Sequence, residues 1–264
     1  MLAITRQGFY KARRKRSEDE LDETVVLRGI QRLRSYMPRL GGRKLYDLLA
    51  PDLRRVHGIK LGRDKFFAVL RKHGLLVKRR RKYALTTNSR HTLPIYDNLI
   101  KGMPVETANQ VFVSDITYIR LESSFAYLAL VTDMYSRKVV GYDFSRSLTL
   151  DGPLRALRMA LKGVTDASAL IHHSDRGVQY CSLQYTDELL SKKARISMSE
   201  AGNPYENAIA ERVNGILKDE FLLDATFPDF QSAKSAVQEA IEIYNTMRPH
   251  GSLNNQTPAL RYAA

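Results

Sequence analysis

The chain has 264 residues, of which 44% are hydrophobic and 27% are charged, and it contains one cysteine. This composition is typical of a folded globular protein and excludes a disordered, collagen-like or disulfide-stabilised chain. The net charge of +14 favours a polyanionic partner such as nucleic acid. No apolar run approaches the roughly 18–20 residues that span a bilayer, so we expect a cytoplasmic protein without a membrane partner.

The positive charge is concentrated in the first third of the chain. Residues 1–90 carry 25 Lys and Arg against 8 Asp and Glu, whereas residues 91–264 carry a net charge of −3. This asymmetry predicts a DNA-binding front part and a near-neutral rear part with a different task. The alternative is a basic surface that is merely solvated.

The front part is predicted to be helical. Residues 1–16 look like a basic arm, and Ser17 begins a helix with apolar residues at helical spacing that ends at Pro38. A second helix follows and stops before a loop at residues 51–61. A third runs from about Gly62 to His73. Short helices joined by turns, the last one basic, predict a helix-turn-helix-like domain over residues 1–77. The expected phosphate contacts are Arg63, Lys65, Arg71, Lys72, Lys78, Arg79, Arg80, Arg81 and Lys82.

The rear part shows the pattern of an α/β domain. Residues 78–108 are predicted to form a basic and polar linker, and residues 109–264 a domain with strands and helices. Its predicted strands are residues 111–121, 125–132, 138–144 and 169–172. Its predicted helices are residues 150–163, 182–193, 205–223 and 230–246. The first three strands follow one another closely, which predicts an antiparallel meander within an α/β layer sandwich.

Three carboxylates are the candidate catalytic and metal-binding residues. Asp115 lies inside a predicted strand, Asp175 follows a short buried strand, and Glu211 lies on a helix but off its apolar stripe. Taken singly, each fits an ordinary solvent-exposed or turn residue. Three hard oxygen ligands from a strand, a strand end and a packed helix instead predict a Mg²⁺ site, with Mn²⁺ as a substitute, for phosphoryl transfer.

Other polar residues have simpler interpretations. His172 and His173 at a strand end are expected to be hydrogen-bonded rather than catalytic. Asp133 is expected to stabilise a turn between strands rather than bind metal. Arg248-Pro-His250 follows the last long helix and is expected to fold back on the core.

The motifs around the three acids resemble those of the bacterial insertion-sequence transposases with a retroviral-integrase-like DDE core. The matching pieces begin with Asp115-Ile-Thr-Tyr and His173-Ser-Asp175-Arg-Gly-Val-Gln-Tyr180. They continue with Ser197 to Ala208, Glu211 to Glu220 and Tyr244 to Leu253. The start, Ile4 to Tyr10, resembles the second reading frame (OrfB type) of such elements. Glu206 departs from the pattern, because the family usually has Asp there.

This resemblance implies an RNase H-like core, a mixed sheet with helices on both faces, that holds Mg²⁺ on Asp115, Asp175 and Glu211. It also implies that Lys218, one heptad beyond Glu211, approaches the DNA of the element ends. The expected function is metal-dependent DNA cleavage and strand transfer by a homo-oligomer on double-stranded DNA, at both element ends and target. A fusion to the product of an upstream frame is a further expectation. The alternatives are a non-catalytic DNA-binding regulator and a nuclease on the same fold.

Overall fold

The structure is a computed structural model that describes residues 6–78, 93–200 and 207–264. The chain divides into two compact units, Met1–Arg80 and Arg81–Ala264. Within the described ranges, no helix is both long and apolar enough to cross a bilayer.

The first unit consists of three helices, as expected: α1 (Arg6–Tyr36), α2 (Gly42–His57) and α3 (Arg63–Lys72). They share a small apolar core. Its buried members are Val26, Ile30, Leu45, Leu49, Leu53, Phe66 and Leu70. At the α3 end, the ammonium group of Lys72 donates to both carboxylate oxygens of Glu23 on α1, at 2.7 and 2.9 Å. This ion pair ties the third helix to the first.

Two boundaries in this unit differ from the sequence prediction. The residues interpreted as a basic arm belong to α1 from Arg6 onward, since Lys, Arg and Ala are good helix formers. The second helix does not stop at Pro51 but continues to His57. Leu53 is buried one turn beyond Leu49 on the same stripe, and this packing outweighs the helix-breaking tendency of proline.

The second unit is built on a mixed six-stranded sheet. Its strands are β1 (Val111–Leu121), β2 (Phe125–Asp133), β3 (Val139–Ser145), β4 (Ile171–Ser174), β5 (Arg195–Met198) and β6 (Thr226–Phe227). The order is β3-β2-β1-β4-β5, and β6 pairs with the far end of β1. The predicted antiparallel meander β1–β2–β3 is confirmed, whereas β4 pairs parallel to both β1 and β5.

Helices cover the two faces of this sheet. They are α4 (Asp151–Leu161), α5 (Leu183–Ser191), α6 (Ala208–Glu220), α7 (Phe230–Thr246) and α8 (Pro258–Tyr262). Alternate β1 residues enter different cores, because successive side chains of a strand point to opposite faces. Phe112 packs in the core that includes Leu157 of α4, whereas Val111 and Val113 pack with Ala210 of α6. The α6 face is the one that carries the acidic residues.

Some elements of the second unit lie away from their predicted positions. The strand predicted at residues 169–172 is Ile171–Ser174, because its pairing with β1 sets its limits. The short strands β5 and β6 and helix α8 were not predicted, since two to five residues carry little periodic signal. Of the segment interpreted as a linker, residues 79–92 lie outside the described ranges. Leu93 and Tyr96 pack against the core that contains Phe112.

Candidate active site

Asp115 and Asp175 leave neighbouring parallel strands at matching positions. In the β1–β4 register, Ser114 lies opposite Ser174, and each is followed directly by one of the two aspartates. The crevice beyond the carboxyl end of a parallel strand is where open α/β sheets place their ligands. Backbone pairing therefore brings together two acids that are 60 residues apart in sequence.

Fixed N–H donors orient both carboxylates. Asp115 Oδ1 accepts from its neighbour's amide, Ile116 N, at 2.9 Å, and Asp115 Oδ2 accepts from Asn214 Nδ2 at 2.7 Å. Asp175 Oδ1 accepts from Gly177 N at 2.9 Å. These donors hold each carboxylate in a defined orientation at the ends of the two strands.

Helix α6 carries Glu211 in its first turn and is fastened to β1 by two buried asparagines. Asn207 Nδ2 donates to the backbone oxygen of Ser114 at 3.1 Å, and Asn214 makes the Asp115 contact two turns later. The sequence placed both asparagines on the polar face of Glu211 but gave no sign of these bonds. Glu211 is exposed, so its side chain can change rotamer without disturbing the core.

The negative charges of Asp175 and Glu211 both act on the carboxylate of Asp115. Burial and then the charge of Asp175 raise the pKa of Asp115 from 3.8 to about 7, and Glu211 adds a smaller contribution. The hydrogen bonds from Asn214 and Ile116 oppose this rise. A cation bound between these groups would offset the repulsion, so the charge and the hard oxygen donors fit a divalent metal ion.

The three carboxylates do not form a complete metal-binding site in the described parts of the chain. In the described parts of the chain, no three His, Cys, Asp or Glu side chains are arranged so that they could hold a metal ion. Asp115 and Asp175 are the coupled pair, and Glu211 is the most exposed of the three. The structure thus brings the three predicted residues to one region without forming a complete ligand set.

The two histidines beside Asp175 are structural, as expected. His172 Nε2 lies 2.8 Å from Ser114 Oγ and 3.0 Å from the Tyr185 hydroxyl. Burial and His173 lower the pKa of His172 to about 3, so its ring is neutral. His173 Nδ1 lies 2.9 Å from Ser197 Oγ.

Two further acids have structural partners. Asp133 is fully buried and accepts from Ser136 N at 2.7 Å and Asn109 N at 2.8 Å, which confirms its assignment to the β2–β3 turn. Glu220 forms a buried ion pair with Arg248. The segment that contains Arg248 therefore folds back on the core, as expected.

The residues predicted to contact DNA differ in their exposure and in their position along the chain. Arg63, Lys65, Arg71 and Lys78 are exposed, and Lys72 is engaged with Glu23. Arg79, Arg80, Arg81 and Lys82 lie outside the described residues. Lys218 places its Nζ atom 4.1 Å from the centre of the Tyr118 ring, on the helix that carries Glu211. Among the members of this set that the structure describes, Lys218 is the one in the unit with the acids.

Comparisons with known proteins agree on one family. Two family models, both described as "Integrase core domain", match residues 106–204 and 192–258. The chain is 36% identical to the "Insertion element IS600 uncharacterized 31 kDa protein" of Shigella sonnei, across 98% of this chain and 95% of that protein. It is 32% identical to "Transposase InsF for insertion sequence IS3A" of Escherichia coli strain K12, across 98% of this chain and 90% of that protein.

A solved structure shares the fold. In the simian T-cell lymphotropic virus intasome in complex with PP2A regulatory subunit B56 gamma, one chain matches with a TM-score of 0.50 and 19% identity. The match covers 88% of this chain and 74% of that chain. At this identity the likeness shows the fold alone, which is the RNase H-like α/β core expected from the sequence.

Proposed function

Because the chain belongs to the insertion-sequence transposases with an integrase core, we propose that it cleaves DNA at the ends of its element and joins those ends to target DNA. The observation that carries this proposal is the electrostatic coupling of Asp115 with Asp175 and Glu211. Glu220 is neutralised by its ion pair with Arg248. The hydrogen-bonded carboxylate of Asp115 has no such cation among the described residues, and burial together with the charges of Asp175 and Glu211 raises its pKa.

Asp115, Asp175 and Glu211 are the residues that would hold Mg²⁺ or Mn²⁺. Divalent ions at such a site activate an attacking oxygen and stabilise the leaving oxygen of a phosphodiester. The chain's own contribution is orientation. Asn214 and the Ile116 amide fix Asp115, and the Gly177 amide fixes Asp175.

The reaction that follows from this site has two steps. Water attacks a phosphodiester phosphorus, and the P–O3′ bond breaks to leave a free 3′-hydroxyl and a 5′-phosphate. That 3′-hydroxyl then attacks a phosphorus of the target strand, forms a new P–O3′ bond and displaces the target's own 3′-oxygen. Neither step requires a covalent bond to the protein.

DNA binding is proposed for the basic first unit and for Lys218. Arg63, Lys65, Arg71 and Lys78 are exposed cations that fit phosphate contacts in a sequence-independent mode. Lys218 lies two turns beyond Glu211 on α6, so it would meet DNA whose phosphodiester reaches the acids. We further propose that the protein acts on DNA as a homo-oligomer in the bacterial cytoplasm, associated with the nucleoid. The proposal includes a fusion of this chain to the protein product of an upstream reading frame.

A strand-transfer assay tests this function. The purified chain is incubated with labelled double-stranded element-end DNA and a plasmid target in Mg²⁺, Mn²⁺, Ca²⁺ or EDTA. We expect cleaved and joined products in Mg²⁺ and Mn²⁺, with none in EDTA. Ca²⁺ should support binding but poor chemistry, because its larger and looser coordination does not align the reacting oxygens.

The same assay separates the alternatives. Cleaved ends without joined product would indicate a nuclease, and DNA binding without cleavage would indicate a regulator. Full activity in excess EDTA would show that the carboxylates do not act through a metal ion. Glu239→Gln, which neutralises an exposed acid on α7, is the control for a simple loss of negative charge.

A further inference from the structure

Strand β1 has an open edge (residues 115–119) beside helix α6. On this side of β1, pairing with β4 ends at Ser114 and pairing with β6 begins at Arg120. Between those two positions, none of the strands that the structure describes pairs with this side of β1. Asp115 and Tyr118 both lie on the open edge, so side chains of α6 reach them past the end of β4.

Two side chains of α6 contact the open edge one after the other. Asn214 Nδ2 donates to Asp115 Oδ2 at 2.7 Å. One turn later, the Nζ atom of Lys218 lies over the Tyr118 ring, 4.1 Å from its centre. The contacts follow the same order along the helix and along the strand. The lysine contact is therefore the next one after the contact to a proposed metal ligand.

The Tyr118 ring holds the ammonium group of Lys218 without cancelling its charge. A cation within about 6 Å of the centre of an aromatic ring is attracted to the negative face of the ring. The ring supplies no counter-ion, so the ammonium group keeps the charge that attracts a phosphate. Lys72 differs, because there the carboxylate of Glu23 accepts both hydrogen bonds and neutralises the ammonium group.

Tyr118 is held in place although its side chain is partly exposed. The Phe125 ring of β2 meets the Tyr118 ring at 90°, with the two centres 5.5 Å apart. Tyr118 is 37% exposed, and Lys218 is half-buried. A lysine side chain loses rotamer freedom when it binds a phosphate, and a fixed ring that already restricts the side chain lowers this cost.

We propose that Tyr118 is a positioning residue for DNA: its ring holds the Lys218 ammonium group beside the open edge of β1, where the ammonium group contacts a DNA phosphate. This inference rests on the proposed function, which assigns Lys218 to DNA, and it adds the residue that orients this lysine. An exposed cation–π contact of this kind changes an affinity by about two- to fivefold.

The test measures DNA binding to the full-length protein. Fluorescence anisotropy with element-end DNA in Ca²⁺ gives the Kd, and strand transfer at saturating DNA in Mg²⁺ gives kcat. Tyr118→Leu should raise the Kd by about two- to fivefold and leave kcat within about twofold of wild type, because the metal ligands are intact. Tyr118→Phe keeps the ring and should bind DNA like wild type.

A double-mutant cycle shows whether Tyr118 acts through the lysine. Lys218→Ala should raise the Kd by about tenfold, because a charge-assisted contact to phosphate is lost. Tyr118→Leu in the Lys218→Ala background should raise it no further. An undiminished effect of Tyr118→Leu in that background would overturn the inference. Wild-type affinity in Tyr118→Leu, or equal losses in Tyr118→Leu and Tyr118→Phe, would overturn it as well.

Tyr262→Leu is the matched control. It removes another lysine–tyrosine contact of the second unit, in which Lys138 Nζ lies 4.0 Å from the centre of the Tyr262 ring. This variant should bind DNA like wild type, and a Kd raised as much as in Tyr118→Leu would overturn the inference by showing a general loss of packing.

The same measurements separate this inference from the proposed function. Wild-type affinity in Lys218→Ala would contradict the DNA contact of Lys218, and this inference with it. A weakened Lys218→Ala beside an unaffected Tyr118→Leu would refute this inference alone. Because the Kd is measured without catalysis, it decides the role of Tyr118 even if the protein cleaved no DNA.

Discussion

Glu220→Gln should destabilise the second unit, although Glu220 lies on the same helix as Glu211. Arg248 Nε donates to Glu220 Oε2, and Arg248 Nη2 donates to Glu220 Oε1, both at 2.8 Å. The Arg248 side chain is 2% exposed and that of Glu220 12%. A glutamine offers one oxygen and no charge, so the guanidinium would remain buried without a counter-ion. Breaking one side of a buried pair costs about 3–5 kcal/mol.

This cost translates into a measurable change in melting temperature. At about 2–4 °C per kcal/mol for a unit of this size, the Tm should fall by roughly 6–20 °C. Circular dichroism melts of wild type, Glu220→Gln and the double variant Glu220→Leu/Arg248→Met measure the effect. The double variant replaces both charges by apolar groups and should recover most of the loss. If Glu220→Gln melted within about 2 °C of wild type, the ion pair would not stabilise the fold as argued.

Two further predictions concern the site and the DNA contacts. Glu211→Gln should abolish cleavage and strand transfer while leaving the Tm and DNA binding nearly unchanged, because Glu211 is exposed and the change removes only its charge. Glu206→Gln, at a position outside the described residues, and Glu220→Gln assayed well below its Tm should both retain turnover. Robust activity in Glu211→Gln beside an inactive Glu206→Gln would mean that the third acid has been misassigned. A fragment of residues 93–264 should lose most DNA affinity, and full-length binding should weaken with salt by a log–log slope of about −0.9 per phosphate contacted. Equal affinity of fragment and full chain would contradict the assignment of DNA binding to the first unit.

The sequence predicted the elements that have a long periodic signal. The three strands of the meander and helices α4 to α7 each extend over several residues with a clear apolar pattern, and the structure contains them. The motifs around Asp115, Asp175 and Glu211 predicted that these residues lie together, and the structure places them in one region. The catalytic roles of these acids stay a prediction.

What the sequence did not reveal depends on contacts between distant residues. The bond from Asn214 to Asp115 joins residues 99 apart, and it exists only because α6 lies on that face of β1. The pair of Glu220 and Arg248 joins the end of one helix to the loop after the next one. The continuation of α2 through Pro51 depends on the burial of Leu53, which no local propensity reports.

The parallel pairing of β1 with β4 limits where the coding sequence can accept an inserted codon. Asp115 and Asp175 are neighbours because Ser114 is aligned with Ser174. A slip of one residue between these strands would shift Asp175 by about 3.3 Å and turn its side chain to the opposite face of the sheet. A single-codon insertion within Ile171–Ser174 would therefore disrupt the site even if every acid were retained. The same insertion at residues 122–124, in the turn between β1 and β2, would leave this alignment intact.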